Sequence, residues 1–258
     1  MQSPPSEWRT ATDASRETGS QGLSPSARRI NAIARELGAT RYLEIGVSRG
    51  RTFLAVNMPK KTAVDPRFRF DAAAIQTDGV RCHEMTSDEW FLEYADGETF
   101  DIIFLDGMHT FEQIFRDFCN SLLLSHANTV WIIDDTVPGD IYSSCRDQKT
   151  ATDLRRKEIG RFAPDKNLGA WTGDVYKLTF AIHDFFPMLS YRTILRPGKP
   201  QMIVWRRRRS GFAPLFNNLA TISQLTYFDF QQNLDLLQGD AEEDVLQLLF
   251  ASLASTAA

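Results

Sequence analysis

The chain has 258 residues, 43% of them hydrophobic and 24% charged, with a formal net charge of −4. That fits one large globular domain with appendages, gives no general attraction to nucleic acid or anionic membrane, and lacks an apolar run long enough for a transmembrane helix or an apolar leader for a signal peptide. Cys82, Cys119 and Cys145 have no paired spacing, which excludes a disulfide framework or zinc pattern and points to reduced thiols in a cytoplasm.

Residues 1–22 are rich in Ser, Thr, Gly and Pro and read as a flexible arm. Ser24-Pro25 is a helix start, since Ser caps free N–H groups and Pro suits the first helical position. Ile30, Ile33, Ala34 and Leu37 follow at helical spacing, and Gly38 supplies the stop. Strands are then expected at 41–45, 62–65, 80–83, 100–106 and 129–134. Helices are expected at 52–58, 71–75, 87–94 (capped by Ser87) and 110–124. Strands apolar on both faces and alternating with helices predict a Rossmann-like, doubly wound α/β fold around a mostly parallel sheet. Beyond Asp135 the pattern loosens. Residues 136–175 read as a loop-and-helix insertion beside the site, 176–182 and 201–205 as an antiparallel edge pair, and 215–253 as one or two C-terminal helices. The expected organisation is therefore an arm (1–22), a ligand-binding domain (23–210) and a helical extension (211–258).

The chemistry-bearing residues fall at strand ends, where open α/β sheets bind ligands. Glu44-Ile45-Gly46-Val47-Ser48-Arg49-Gly50 turns the first strand into the next element. Glycine there lets the backbone bend tightly and approach a ligand. The spacing is not the dinucleotide fingerprint, and an acid at Glu44 repels a pyrophosphate but suits a cation, such as the aminopropyl-sulfonium end of S-adenosylmethionine. Asp65 ends the second strand, placed to accept both hydroxyls of a ribose. Asp106 follows FDIIFL, and Asp134-Asp135 follow TVWII. Three converging carboxylates repel one another unless a cation neutralises them, and an oxygen-only set suits Mg²⁺. His109, three residues beyond Asp106, is placed to act as general base toward a hydroxyl on that metal.

Together, LEIGVSRGRTF, Val64-Asp65-Pro66, FLDGMHTFEQIFRD and VWIIDD resemble class I S-adenosylmethionine-dependent methyltransferases. They look most like the branch of macrolide-sugar O-methyltransferases and cephalosporin-hydroxylase-like proteins. The resemblance covers about residues 25–205. It implies that Glu44 and Gly46, with Ser48 and Gly50 in the same turn, hold the methionine end of the cofactor. It also implies Asp65 at the ribose, Thr86 or Ser87 near the adenine, and Asp106 beside the cofactor. Asp106, Asp134 and Asp135 match the metal ligands, and His109 the base, of its metal-dependent members. Those members usually carry Glu-Asp or Asp-Asn where this chain has Asp134-Asp135. The stretch from Ala170 to Lys177 also resembles a segment of that branch near the substrate mouth, where Trp171 either stacks on substrate or packs.

The expected activity is O-methylation of a small-molecule hydroxyl. A hydroxylase-like metal enzyme on the same scaffold, a nicotinamide oxidoreductase and a non-catalytic S-adenosylmethionine-binding module are the competing readings. Arg206–Arg209 read as a solvated exit from a sheet edge rather than a nucleic-acid patch, and the C-terminal helices as packing within the chain or on a second copy.

Overall fold

The computed structural model describes residues 22–94, 97–160 and 170–255. The arm read over residues 1–22 lies outside them except for Gly22. Eight strands form one sheet: β1 (Arg41–Ile45), β2 (Lys60–Asp65), β3 (Val80–Glu84), β4 (Phe100–Leu105), β5 (Ser125–Ile133), β6 (Leu189–Arg196), β7 (Gln201–Arg206) and β8 (Gly239–Ala241). Their order is β3-β2-β1-β4-β5-β7-β6-β8. The first five run parallel, and β7 pairs antiparallel with both β5 and β6. This is the Rossmann-like mixed sheet expected of the alternating pattern, and its order reverses between β1 and β4. Crevices open at such a reversal, at the carboxyl ends of the strands.

Both faces of the sheet are covered, which is why its strands are apolar throughout. On one face α1 (Pro25–Leu37) and α8 (Glu242–Ala254) pack Ile30, Ile33, Val245 and Leu249 against Tyr42, Ile102, Phe104, Ile132 and Trp205. The other face carries α2 (Ser87–Glu93), α3 (Phe111–Leu123) and α5 (Lys177–Phe185). They bury Trp90, Ile114, Phe118, Leu178 and Ile182 against Leu43, Ile103, Leu105, Trp131, Ile133 and Val204. The start of α1 is as expected: Ser24 Oγ accepts from Ala27 N–H, Pro25 opens the helix, and Gly38 closes it at φ +62°.

The expected strand at 176–182 is α5 instead. Residues 177–182 are all buried there, because α5 lies between the sheet and a third apolar cluster that includes Ile222, Leu225 and Phe230. A helix apolar on every side has the run of a buried strand, and periodicity cannot separate the two. The strand that pairs with β7 is β6, which alternates buried and half-buried residues. Two smaller corrections concern helices. Residues 52–58 and 71–75 hold only 3₁₀ turns, at Phe53–Ala55 and Ala73–Ile75. The cap of α2 is Thr86, in a reciprocal capping box with Glu89, rather than Ser87.

The insertion contains α4 (Gln148–Glu158), and the C-terminal stretch contains α6 (Leu219–Ser223), α7 (Tyr227–Gln232), β8 and α8. Arg206, Arg207 and Arg209 are structural ties rather than a solvated exit. Arg206 donates to Leu122 O and Ser125 Oγ, and Arg207 to Ser252. Arg209 gathers the carbonyls of Ile182, His183 and Phe186 at the end of α5, where helix carbonyls lack intrahelical donors. No helix among the described residues is long and apolar enough to cross a membrane.

Candidate functional site

The β1 and β4 ends meet at the sheet reversal. Gly46 sits at φ +85°, and a Cβ there would lie 2.1 Å from the Asp106 carbonyl oxygen, so only glycine allows the two turns to cross. Glu44 is buried beneath this crossing rather than exposed at its mouth. Its carboxylate accepts from the Tyr42 hydroxyl at 2.6 Å, and burial holds its pKa well above the usual range. Asp65 binds the turn itself: Oδ2 accepts from Val47 and Ser48 N–H, both at 2.8 Å, and Oδ1 from Arg67 N–H at 2.7 Å. Ser48 and Gly50 complete the turn at φ +49° and +71°. Thr86 is exposed and spent on its cap, while Ser87 Oγ accepts from Gln113 Nε2 at 3.1 Å. Beside it, Asp117 on α3 is buried, with its Oδ2 lacking a hydrogen-bond partner. Burial pushes its carboxyl up to about 6.

At the ends of β4 and β5 the acids come together around His109. His109 Nε2 lies 3.2 Å from Asp135 Oδ2 and 3.7 Å from Asp106 Oδ1. The imidazole is stacked under Trp171, with ring centroids 4.7 Å apart and planes at 17°. Trp171 is fixed in turn, donating from Nε1 to the Cys145 carbonyl at 2.6 Å. The next residue but one, Gly173, sits at φ +58° with its Cα against the His109 backbone, where a Cβ would fall 1.8 Å from the carbonyl oxygen. Asp174 then caps α3 by accepting from Phe111 N–H. The Ala170–Lys177 segment therefore clamps His109 from above, with Trp171 packed on the imidazole.

Asp106 keeps about a third of its side chain exposed (32%), whereas Asp134 and Asp135 are each 4% exposed. Asp135 adopts φ +59°, a conformation Asp tolerates better than most side chains and one concentrated at functional sites. Partial burial, together with the charges of Asp134 and Asp135, pushes the Asp106 carboxyl above its ordinary value, against the opposing pull of His109 and Lys199. Burial alone would lower the His109 pKa, but the Asp106 and Asp135 carboxylates outweigh it and hold the imidazole above its ordinary value. Two buried atoms here lack hydrogen-bond partners, His109 Nδ1 and Asp135 Oδ2.

One participant has no counterpart in the sequence reading. Lys199, on the turn between β6 and β7, places Nζ 2.9 Å from both Asp134 Oδ2 and Asp135 Oδ1. Its turn is anchored from beneath by the fully buried Arg29 of α1. That guanidinium donates to the carbonyls of Pro197 and Lys199, each at 2.6 Å, and pairs with Glu242. Asp134 Oδ1 also accepts from the Asp135 N–H. The magnesium site expected on Asp106, Asp134 and Asp135 does not fit this arrangement, because Asp134 is turned to Lys199. Asp106, His109 and Asp135 do bring one ligand-type atom each to within 4.8 Å of one another; of the Asp135 oxygens, Oδ1 is held by the ammonium and Oδ2 is not. A lysine 64 residues downstream of Asp135, in a Pro-Gly-Lys-Pro turn, carries no local signal that would have found it.

Residues 26–136 match the family model of a methyltransferase domain, in agreement with the class read from the motifs. Among curated proteins, no sequence matches the chain. Solved structures of similar shape include the O-methyltransferase from Bacillus cereus in complex with SAH (17% identity, TM-score 0.49, covering 73% of this chain and 84% of that one). Another is the O-methyltransferase TomG from Streptomyces achromogenes, involved in tomaymycin synthesis, in complex with SAM (17%, 0.47, 80% and 91%). A third is the SAH-bound Podospora anserina methyltransferase PaMTH1 (18%, 0.47, 70% and 77%).

Proposed function

We propose, from the premise that residues 26–136 form a methyltransferase domain, that the chain transfers a methyl group from S-adenosylmethionine to a hydroxyl of a small molecule, a sugar or another natural product, with His109 as general base. The observation that carries this reading is the position of His109 at the carboxyl end of β4, with Nε2 3.2 Å from Asp135 Oδ2 and 3.7 Å from the partly exposed Asp106 carboxylate, and with Nδ1 buried and without a partner. Buried polar atoms without partners are uncommon and call for a role.

The cofactor supplies a methyl carbon on a sulfonium, whose departure leaves a neutral thioether. Asp106 and Asp117 offer acceptor oxygens at the β1–β4 crevice, which fits a ligand with cationic amine and exocyclic amine donors. Asp65 holds the Gly46–Gly50 turn in shape and keeps further lone pairs for a ribose. Glu44 acts from below the turn, and Ser48, Gly50, Thr86 and Ser87 border the same side. His109 is placed to take the hydroxyl proton through Nε2, the nitrogen turned toward the partly exposed Asp106 carboxylate. Trp171 fixes the plane of the ring, and the Asp106 and Asp135 charges stabilise the imidazolium that forms. Magnesium assistance is not part of this reading, since Asp134 is committed to Lys199. The reading places the chain in the cytoplasm, where Cys82, Cys119 and Cys145, all unpaired, stay reduced. It leaves association of copies to exposed apolar residues of the C-terminal helices such as Phe228 and Leu248.

Transfer of labelled methyl from S-adenosylmethionine to a panel of sugar, polyketide and phenol hydroxyls tests it. Label should appear as a methyl ether, and His109→Ala should cut turnover by ~10²–10⁴-fold while leaving cofactor affinity intact. Wild-type turnover in that variant would remove His109 from the mechanism.

A further inference from the structure

We infer that Lys199 is the resident cation of this site, doing for Asp134 and Asp135 what a divalent ion would otherwise do, so that the site works without metal. The inference rests on the reading that the cluster around His109 is the reacting end. Two adjacent carboxylates, each 4% exposed, cannot both remain charged without a compensating cation. Lys199 meets one oxygen of each at 2.9 Å.

The ammonium is held at both ends. Arg29 fixes the backbone of its turn through the Lys199 and Pro197 carbonyls, and the two carboxylates fix its tip. Placed on Asp134 as the motifs imply, a hard divalent cation taking oxygens at about 2.1 Å would lie against the ammonium, and placed on Asp106, His109 and Asp135 Oδ2 it would share the Asp135 carboxylate with that ammonium. Asp135 is shared as a result, Oδ1 to Lys199 and Oδ2 toward His109. The lysine therefore sets the orientation of the carboxylate that sets the imidazole. Lys199 is a positioning residue in this scheme. An ammonium supplies charge and three donors but does not acidify a bound hydroxyl as a divalent ion does, which leaves proton removal to His109.

Mn²⁺ titration of the full chain, followed by the electron paramagnetic resonance signal of the free ion and run without cofactor or acceptor, tests this directly. Wild-type protein and Lys199→Arg should leave an equimolar Mn²⁺ signal unquenched. Lys199→Ala and Lys199→Gln, checked for folding by circular dichroism, should sequester Mn²⁺ stoichiometrically, and the added change Asp134→Asn should abolish that binding. Stoichiometric binding by wild type would overturn the inference, and so would folded Lys199→Ala and Lys199→Gln variants that bind nothing. The wild-type arm decides even where the variants fail to fold. Because neither cofactor nor acceptor is present, failure of the methyltransferase reading would leave these outcomes unchanged.

Discussion

Asp65 and Asp135 stand at matching places, at or just past the carboxyl end of a parallel strand, yet their charges are met in opposite ways. Asp65 is satisfied by three backbone N–H groups, from Val47, Ser48 and Arg67, all on its own crevice wall. Asp135 is met by side chains brought from afar: Lys199 from the β6–β7 turn and His109 from the loop after β4. The β1–β2 side is thus a preformed turn in which the acid serves the backbone. The β4–β5 side is a charge cluster whose parts stay in register only while Arg29, Gly173 and Trp171 hold their supports. The second side keeps the unpaired polar atoms on which chemistry can act.

The larger effect expected from breaking this contrast is at Asp65. Asp65→Ala leaves the Val47 and Ser48 N–H groups without an acceptor, which should cost about 1–3 kcal/mol in urea unfolding, and it should also weaken S-adenosylmethionine binding. Unchanged stability would show that the turn does not depend on its acid, and unchanged cofactor affinity would remove Asp65 from the ribose. Mn²⁺ behaviour should not move, because the cluster on β4 and β5 is separate.

A second effect, confined to stability, sharpens the boundary between the two sides. Asp117 carries a pKa raised by burial to about 6 in the folded chain, against ~3.9 unfolded. The native state therefore holds a proton that the unfolded state releases between those values. The stability this proton brings is complete below pH ~4 and is lost as pH rises through about 6. Asp117→Asn, which mimics the protonated carboxyl, should be more stable than wild type by about 3 kcal/mol at pH 8 and nearly equal to it below pH ~4. Parallel unfolding curves with no pH-dependent gap would show that Asp117 is not buried as described.

The same contrast explains what the sequence disclosed. Features built from neighbours in the chain were legible: Ser24-Pro25 and Gly38 bounding α1, the apolar strands ending in Asp65, Asp106 and Asp134, and His109 three residues after Asp106. Features built from distant parts were not. Lys199 reads as an ordinary turn lysine until β7 folds in beside β5. The strand at 176–182 was mistaken because burial of α5 on every side erases the amphipathic stripe that marks a helix. The Arg206–Arg209 run looked solvated, because only the folded chain brings the end of α5 to Arg209 and Ser252 to Arg207. The metal expectation was drawn for three bare carboxylates and did not include the Lys199 ammonium that meets two of them.

Isothermal calorimetry of the wild-type protein with S-adenosylmethionine, run in EDTA and again with Mg²⁺, tests the central claim most directly. The account predicts the same binding in both conditions, with an affinity in the micromolar range, on the order of −8 kcal/mol. No detectable binding in either condition would contradict the methyltransferase reading.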